Sequence, residues 1–278
     1  MYRKIILMLT VLLFLFHSDS SASLFDNADE YVQVTVDGEI NWSTMMIRAK
    51  GDNEDFLKDS SPKAADLTEE EAAINAARIN LFETLKELAL SSSYHVDDEI
   101  YIYEEANEKV TDIAFKAKVV GRPVKTEDGV TEAVVELKLT DGVLDVILPK
   151  KSTLPKGYDI VFQGRGMYSS IIFDATMTDL LPVLMPQVID DAEKPYYSLD
   201  KINRPVAAKI GLVRYFKSID AAKKSLFAGR KPYVIQRGKL DKYKEDTFVV
   251  QAPMLNKVRN EAIISEILGK CKVIFIIK

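Results

Sequence analysis

His95 is the histidine that could serve as a base or a metal ligand once the leader holding His17 is set aside. Zinc sites draw on several His and Cys ligands, and a Ser-His-Asp arrangement would have to use this one ring. His95 follows Ser91-Ser92-Ser93-Tyr94 and precedes Val96-Asp97-Asp98, just beyond a helical stretch. An imidazole there gains from the negative end of a helix dipole, so a structural His95 is expected. Ser91 to Ser93 read as a turn rather than as a nucleophile. Carboxylates cluster at Asp97-Asp98-Glu99, at Glu104-Glu105 and at Asp190-Asp191 with Glu193, residue types that serve glycoside hydrolysis or calcium binding. A calcium loop needs oxygen ligands at alternating positions around a central glycine with a distal glutamate, and none of these segments supplies that spacing. Solvated turns are the expectation for all three.

Gly164-Arg165-Gly166 resembles the opening of a dinucleotide fingerprint, but Ser169 stands at the third glycine position and β-rich residues follow where a helix is required. Lys239 to Asp246 alternates bases and acids and reads as a solvated loop. Asn41-Trp42-Ser43 fits a glycosylation sequon inside a predicted strand, where it is accidental, and Trp42 is a core candidate. Cys271 opens Cys-Lys-Val-Ile-Phe-Ile-Ile, a predicted buried strand, and is expected to be a packed apolar thiol rather than a reactive one. The expected inventory is no catalytic residue, no cofactor, no metal and no enzymatic activity.

The elements that would position these residues follow from patterning. Val32, Val34 and Val36 alternate with polar residues as a half-buried strand, Asp37-Gly38 supplies a tight turn, and Ile40 to Ala49 is the predicted return strand. Gly51 to Asp66 is polar and reads as a loop. Thr68 with Glu71 three residues on forms a capping box that starts a helix. Its stripe is Ile74, Ala77, Leu81, Leu85 and Leu88, and Ala72, Ala73, Ala76 and Ala77 let its first half approach a sheet closely. Ile100 to Glu104 is predicted as a short strand, Phe115 to Arg122 is paired with Thr131 to Leu139 through Glu127-Asp128-Gly129, and Asp141 to Leu148 is a short helix. Further on, Tyr158 to Phe162, Ser169 to Ala175, Lys209 to Tyr215, Tyr233 to Gln236, Thr247 to Gln251 and Val273 to Ile277 read as strands. Leu181 to Asp190, with Pro182 and Pro186, reads as an edge or irregular strand, and Ser218 to Leu226 and Met254 to Leu268 read as helices.

The fold class that results is α+β: an antiparallel sheet with one long packed helix in an N-terminal domain, then a mixed α/β C-terminal domain. The expected boundaries are a signal peptide at 1–23, the N-terminal domain at 24–149, a linker at 150–157 around Pro155, and the C-terminal domain at 158–278.

Arg3 and Lys4 precede Ile5 to Phe16, interrupted only by Thr10, and Ser20-Ser21-Ala22-Ser23 follows. A basic start, an apolar run shorter than the roughly 20 residues of a membrane span, and a stretch of small residues make a cleaved export signal. The expected compartment is the periplasm. The 278 residues carry a formal charge of −5, and losing Arg3, Lys4 and Asp19 makes it one unit more negative, with no basic face for nucleic acid. A single cysteine allows no internal disulfide, so the core must hold the fold. No cysteine lies between residues 17 and 30 to carry acyl chains, and a direct membrane anchor is not expected.

The long helix, Glu-Ala-Ala-Ile-Asn-Ala-Ala-Arg-Ile-Asn-Leu-Phe-Glu-Thr-Leu-Lys-Glu-Leu from Glu71 to Leu88, followed by antiparallel strands, resembles the LPP-twenty lipoprotein family and the N-terminal domain of flagellar assembly protein T. The similarity covers roughly residues 30 to 148. Ser169 to Ala175, Leu181 to Asp190 and Ala228 to Ile235 are similar to the extension that follows this module in exported bacterial proteins. The resemblance implies a structural or assembly protein of the cell envelope, with envelope or flagellar basal-body proteins as partners and no catalytic residues to carry over. The missing acylatable cysteine departs from the lipoprotein pattern. The other function compatible with the residues is a periplasmic module binding a small ligand or peptidoglycan between the two domains.

Overall fold

The computed structural model describes residues 23–54, 56, 67–149, 168–256 and 267–278. The first half runs β1 (Val32–Val34), β2 (Gly38–Asn41), β3 (Met46–Asp52), α1 (Glu69–Lys86), the small hairpin β4 (Ala89–Ser91) and β5 (Tyr94–His95), α2 (Val96–Ile102), α3 (Glu104–Phe115), β6 (Lys118–Val119), β7 (Val124–Lys125), β8 (Thr131–Lys138) and α4 (Val143–Ile147). The main sheet has the order β1-β2-β3-β8-β6 with β7 also on β8, and every pairing in it is antiparallel.

Helix α1 starts where the capping box requires. Glu71 N–H donates to Thr68 Oγ1 at 3.2 Å and Thr68 N–H donates to Glu71 Oε2 at 2.9 Å, satisfying donors at both ends of the first turn. Its buried face, Ala73, Ala77, Leu81 and Leu85, lies against β3 and β8, whose inward residues are Ile47 and Ala49 on one strand and Ala133, Val135 and Leu137 on the other. The alanines bring the backbones together: a Cβ added at Gly51 would stand 2.1 Å from Ala77 N. Gly38 is constrained in the same way, since a Cβ there would meet Arg48 O at 2.5 Å and Thr84 Oγ1 at 2.6 Å.

The second half contains β9 (Ser170–Asp174), β10 (Gln187–Asp190), β11 (Pro195–Tyr197), α5 (Arg204–Ile210), β12 (Val213–Phe216), α6 (Ile219–Lys224), β13 (Pro232–Ile235), β14 (Lys239–Leu240), β15 (Thr247–Val250), α7 (Ala252–Asn256) and β16 (Val273–Ile276). Strands β12-β16-β9-β13 form an all-parallel sheet, and β11-β10-β15-β14 form a second sheet with one parallel pairing, β10 with β15. The parallel sheet is covered on both faces, which is why its strands are nearly continuous apolar runs. Ile172, Phe216, Ile274 and Ile276 cluster with Ala221 and Ala222 of α6, while Ile171, Phe173, Tyr215 and Phe275 belong to the main core with Phe248 of β15. The chain is thus α+β, an antiparallel sheet carrying one long helix and then a mixed α/β region.

The two halves share one apolar core. Trp42, fully buried, meets Tyr215 of β12, and Ser43 Oγ donates to Tyr215 O while Tyr215 N–H donates to Trp42 O at 3.4 Å. At a second seam, Leu184 N–H and Met185 N–H donate to Ala89 O and Leu90 O at 2.9 and 3.0 Å, and Ser92 N–H donates to Asp246 Oδ2 at 2.8 Å. No helix among the described residues is long and apolar enough to cross a membrane.

Several local expectations are corrected. Ile40 to Ala49 is not one strand: the chain reverses at Trp42 to Met45, where Asn41 Oδ1 accepts from Ser43 N–H at 3.1 Å and Thr44 N–H at 3.0 Å. An Asx turn of this kind is invisible to an alternation test. The valine face of β1 is not a core face, since Val34 is 71% and Val36 91% exposed. Gly51 and Asp52 extend β3 rather than opening a loop. Ile100 to Ile102 end α2 and Glu104 opens α3, with Tyr103 extended between them, and Lys209 and Ile210 end α5 before β12 begins at Val213. Prolines 182 and 186 precede β10, which is an interior strand between β11 and β15. The expected linker at 150–157, the strand at 158–162 and most of the leader lie outside the described residues.

Candidate functional site

Helices α2 and α3 meet at Tyr103, whose φ of −118° and ψ of 99° break the helix between Ile102 and Glu104. The break is fixed from both sides by packing. Val96 and Ile100 are the buried residues of α2, and Ala106, Val110 and Ala114, each four residues apart, are those of α3. What the elbow turns outward is apolar: Tyr101 is 88%, Ile102 58% and Tyr103 55% exposed. Three adjacent large side chains in water are unusual on a surface with no partner.

Below this elbow runs an open groove of about 900 Å³, lined by Ile102, Tyr103, Val146 and Leu148 and rimmed by Glu99, Glu104, Glu105 and Asp145. Among the described residues its lining cation is Lys109, which is paired with Glu105 at 2.6 Å. The far wall is α4, whose C-terminal carbonyls are tied down from the second half: Arg204 Nη2 donates to Asp145 O at 2.7 Å and to Leu148 O at 3.3 Å. An arginine on the last carbonyls of a helix opposes its negative pole and leaves those backbone acceptors satisfied. On the near wall Tyr94 Oη donates to Glu99 Oε2 at 3.0 Å, and burial foremost, with that carboxylate second, pushes the phenol up to about 12. The groove is therefore a braced, apolar-floored and negatively rimmed surface.

The singled-out residues fall elsewhere or serve the backbone. His95 precedes α2 rather than following α1, and its amide donates to Asp98 Oδ2 at 2.7 Å, so the dipole argument for its place is overturned. Its ring reaches Asp98 at 3.9 Å. Ser91 and Ser93 are joined by Ser93 N–H donating to Ser91 Oγ at 3.4 Å, a turn contact. Asp97, Asp98 and Glu99 occupy the first turn of α2 and Glu104 and Glu105 that of α3, positions that oppose the positive helix pole. Asp190 Oδ1 accepts from Ala192 N–H at 3.0 Å and Lys194 N–H at 2.9 Å, building the β10–β11 turn. Among the described residues no three His, Cys, Asp or Glu side chains converge as a metal site would require. Asp246 corrects the solvated-loop expectation for 239–246: it is 5% exposed and receives Ser92 N–H. Asn41 is fully buried and donates to Glu30 Oε2 at 2.6 Å, which leaves no room for a glycan. Gly164-Arg165-Gly166 lies outside the described residues.

Cys271 is fully buried, just before β16 rather than within it, and desolvation pushes its thiol up to about 12. Beside it Arg214, 6% exposed, donates to Val213 O at 2.9 Å and to Ile210 O and stacks over Phe227 at 4.6 Å. Burial lowers this guanidinium to about 9. Sequence inspection missed the groove because Ile100 to Tyr103 carries β-favouring residues. The available signal was Asp98 three residues after His95, the acceptor spacing of a helix start.

Residues 170–278 match the family described as Treponema pallidum Tp0624, second domain. The match begins at the first residue of β9 and takes in both sheets of the second half. No curated protein matches the chain.

Proposed function

We propose that this chain is an exported assembly protein of the cell envelope, without enzymatic activity, that docks a partner segment in the groove between α2, α3 and α4. The observation that carries this is the union of exposed Ile102 and Tyr103 with a rim of Glu99, Glu104, Glu105 and Asp145. Such a surface favours an amphipathic segment whose apolar residues enter the groove and whose lysines or arginines meet the rim. The leader pattern Arg3 to Ser23 supports delivery to the periplasm, and the resemblance of the long helix to envelope and flagellar modules supports an assembly role. A flagellar basal-body partner is the narrower form of the proposal. The absence of a spanning helix among the described residues is compatible with attachment through partners.

Site-specific photocrosslinking in cells tests it, with a benzophenone side chain placed at position 103 and, as a control on the second half, at exposed position 243. The expected result is one discrete adduct from 103, lost on Ile102→Asp and reduced by Glu104→Lys, with no equivalent from 243. Identical products from both positions, or adducts that survive Ile102→Asp, would overturn the proposal. Fractionation that recovers the chain only in the cytosol would overturn its export half.

A further inference from the structure

Glu39 on β2 is a carboxylate in a place where a carboxylate needs a cation. It is 6% exposed, and among the described residues no lysine or arginine forms an ion pair with it. Its cross-strand neighbour Arg48 is committed elsewhere: the guanidinium pairs with Glu136 at 3.0 Å, donates to Leu24 O at 2.6 Å and lies over the Phe25 ring at 4.6 Å. Removing an ion from water without a partner of opposite charge is costly, so such groups are paired or hydrogen-bonded.

What Glu39 does hold is the segment at Ser23 and Leu24. Ser23 Oγ donates to Glu39 Oε2 at 2.8 Å, and Leu24 N–H donates to both carboxylate oxygens at 3.0 Å. Phe25 N–H donates back to Ser23 Oγ at 3.2 Å, closing a compact loop around the carboxylate. The expected leader boundary at residue 23 falls here, and a cut one bond earlier, after Ala22, would place Ser20 and Ala22 as the small side chains that a leader-removing peptidase reads three and one positions before its cut.

We propose that Glu39 is a built receptor for the amino terminus that maturation creates at Ser23. The step is hydrolysis of the Ala22–Ser23 peptide bond by an export peptidase. Water adds across it, Ala22 leaves with a carboxylate, and Ser23 nitrogen becomes an amine that takes up a proton at neutral pH. The resulting α-ammonium is a cation on the residue whose hydroxyl already touches Glu39. Cutting one bond later would discard the Ser23 contacts, so Ser23 is the assigned first residue. The proposal rests on the export reading above, and the two can fail separately.

The experiment has two arms. Mass spectrometry of protein recovered from the envelope compartment gives the first residue: Ser23 is expected, any other processed start overturns the receptor assignment, and an intact Met1 overturns the export reading with it. In the second arm, protein starting at Ser23 and protein extended by one glycine are each made with and without Glu39→Gln. Extension is expected to lower Tm by about 2–4 °C only when Glu39 is present. An equal effect in both backgrounds overturns the receptor while leaving export intact. If Glu39→Gln does not fold, acylation of the α-amine at neutral pH replaces it. The Ser23 amine is expected to react about tenfold more slowly than that of the extended chain, the effect of one unit in its pKa. Equal rates overturn the proposal.

Discussion

Trp42 and Tyr215 meet edge to face, ring centroids 5.5 Å apart and planes at 80°, and this contact joins the turn between β2 and β3 to the parallel sheet of the second half. Tyr215 continues inward by stacking on Phe275 at 5.8 Å, which stacks on Phe173 at 5.2 Å. Its hydroxyl donates to Val183 O at 2.8 Å and accepts from Val183 N–H at 3.1 Å. Trp42→Ala should cost about 3–5 kcal/mol, the range for emptying a buried aromatic site. Tyr215→Phe should cost about 1–3 kcal/mol, because the buried peptide groups of Val183 lose their partner. Denaturant titrations of the purified variants measure both. In the parent, Trp42 fluorescence and far-ultraviolet circular dichroism should report a single coincident transition; separated transitions would contradict a shared core.

Gly51→Ala should destabilise by about 1–3 kcal/mol through overpacking, since the new methyl is placed within 2.1 Å of Ala77 N and backbone has to move. Gly121→Ala is a useful contrast: nothing lies within 4 Å of an added Cβ there, and only the positive φ of 72° opposes it. Thermal melts of the two variants should therefore differ, with the larger loss at Gly51.

Cys271 contributes an alkaline weakening of its own. Its folded pKa is raised to about 12, so between the ordinary thiol range and that value the native state binds a proton that the unfolded chain has released. The contribution of this group to stability then falls as pH rises, by up to ~1.4 kcal/mol per pH unit, against an opposite slope from neighbouring Arg214, whose lowered guanidinium releases its proton first in the native state. Cys271→Ala should flatten that slope between about pH 9 and 10, before the unfolded phenols ionise and the raised tyrosines add their own slope. A thiol reagent should label the native protein only as fast as it opens.

Ile102→Ser should leave stability within about ±0.5 kcal/mol, because the side chain is 58% exposed, while abolishing partner crosslinking at the groove. The rim acids add a salt signature. Partner association should weaken as ionic strength rises toward 1 M, where screening reaches only about 3 Å. Association indifferent to salt would argue against charge complementarity.

Much of this architecture was legible because local chemistry and tertiary packing agree. Thr68 with Glu71 marks the helix start, the alanine-rich first half of α1 announces a close helix–sheet contact, and the apolar run at Val273 to Ile276 identifies a strand covered on both faces. What escaped did so where a side chain acts on backbone at short range. Asn41 turns the chain by accepting two amides, and Asp98 converts β-favouring residues at Ile100 to Tyr103 into helix and elbow. The groove itself was illegible, because it exists only once α4, held by Arg204 from the other half, faces that elbow.

Among the described residues, strand β16 sits between β12 and β9 and is what links them in the parallel sheet. A chain that lacks β16 therefore lacks the centrepiece of that sheet, and pairing Val273 with Ile171 closes a loop of about a hundred residues. Until β16 is in place, β12 stays separate from the β9–β13 pair, so the sheet completes by one closure across a long stretch of sequence.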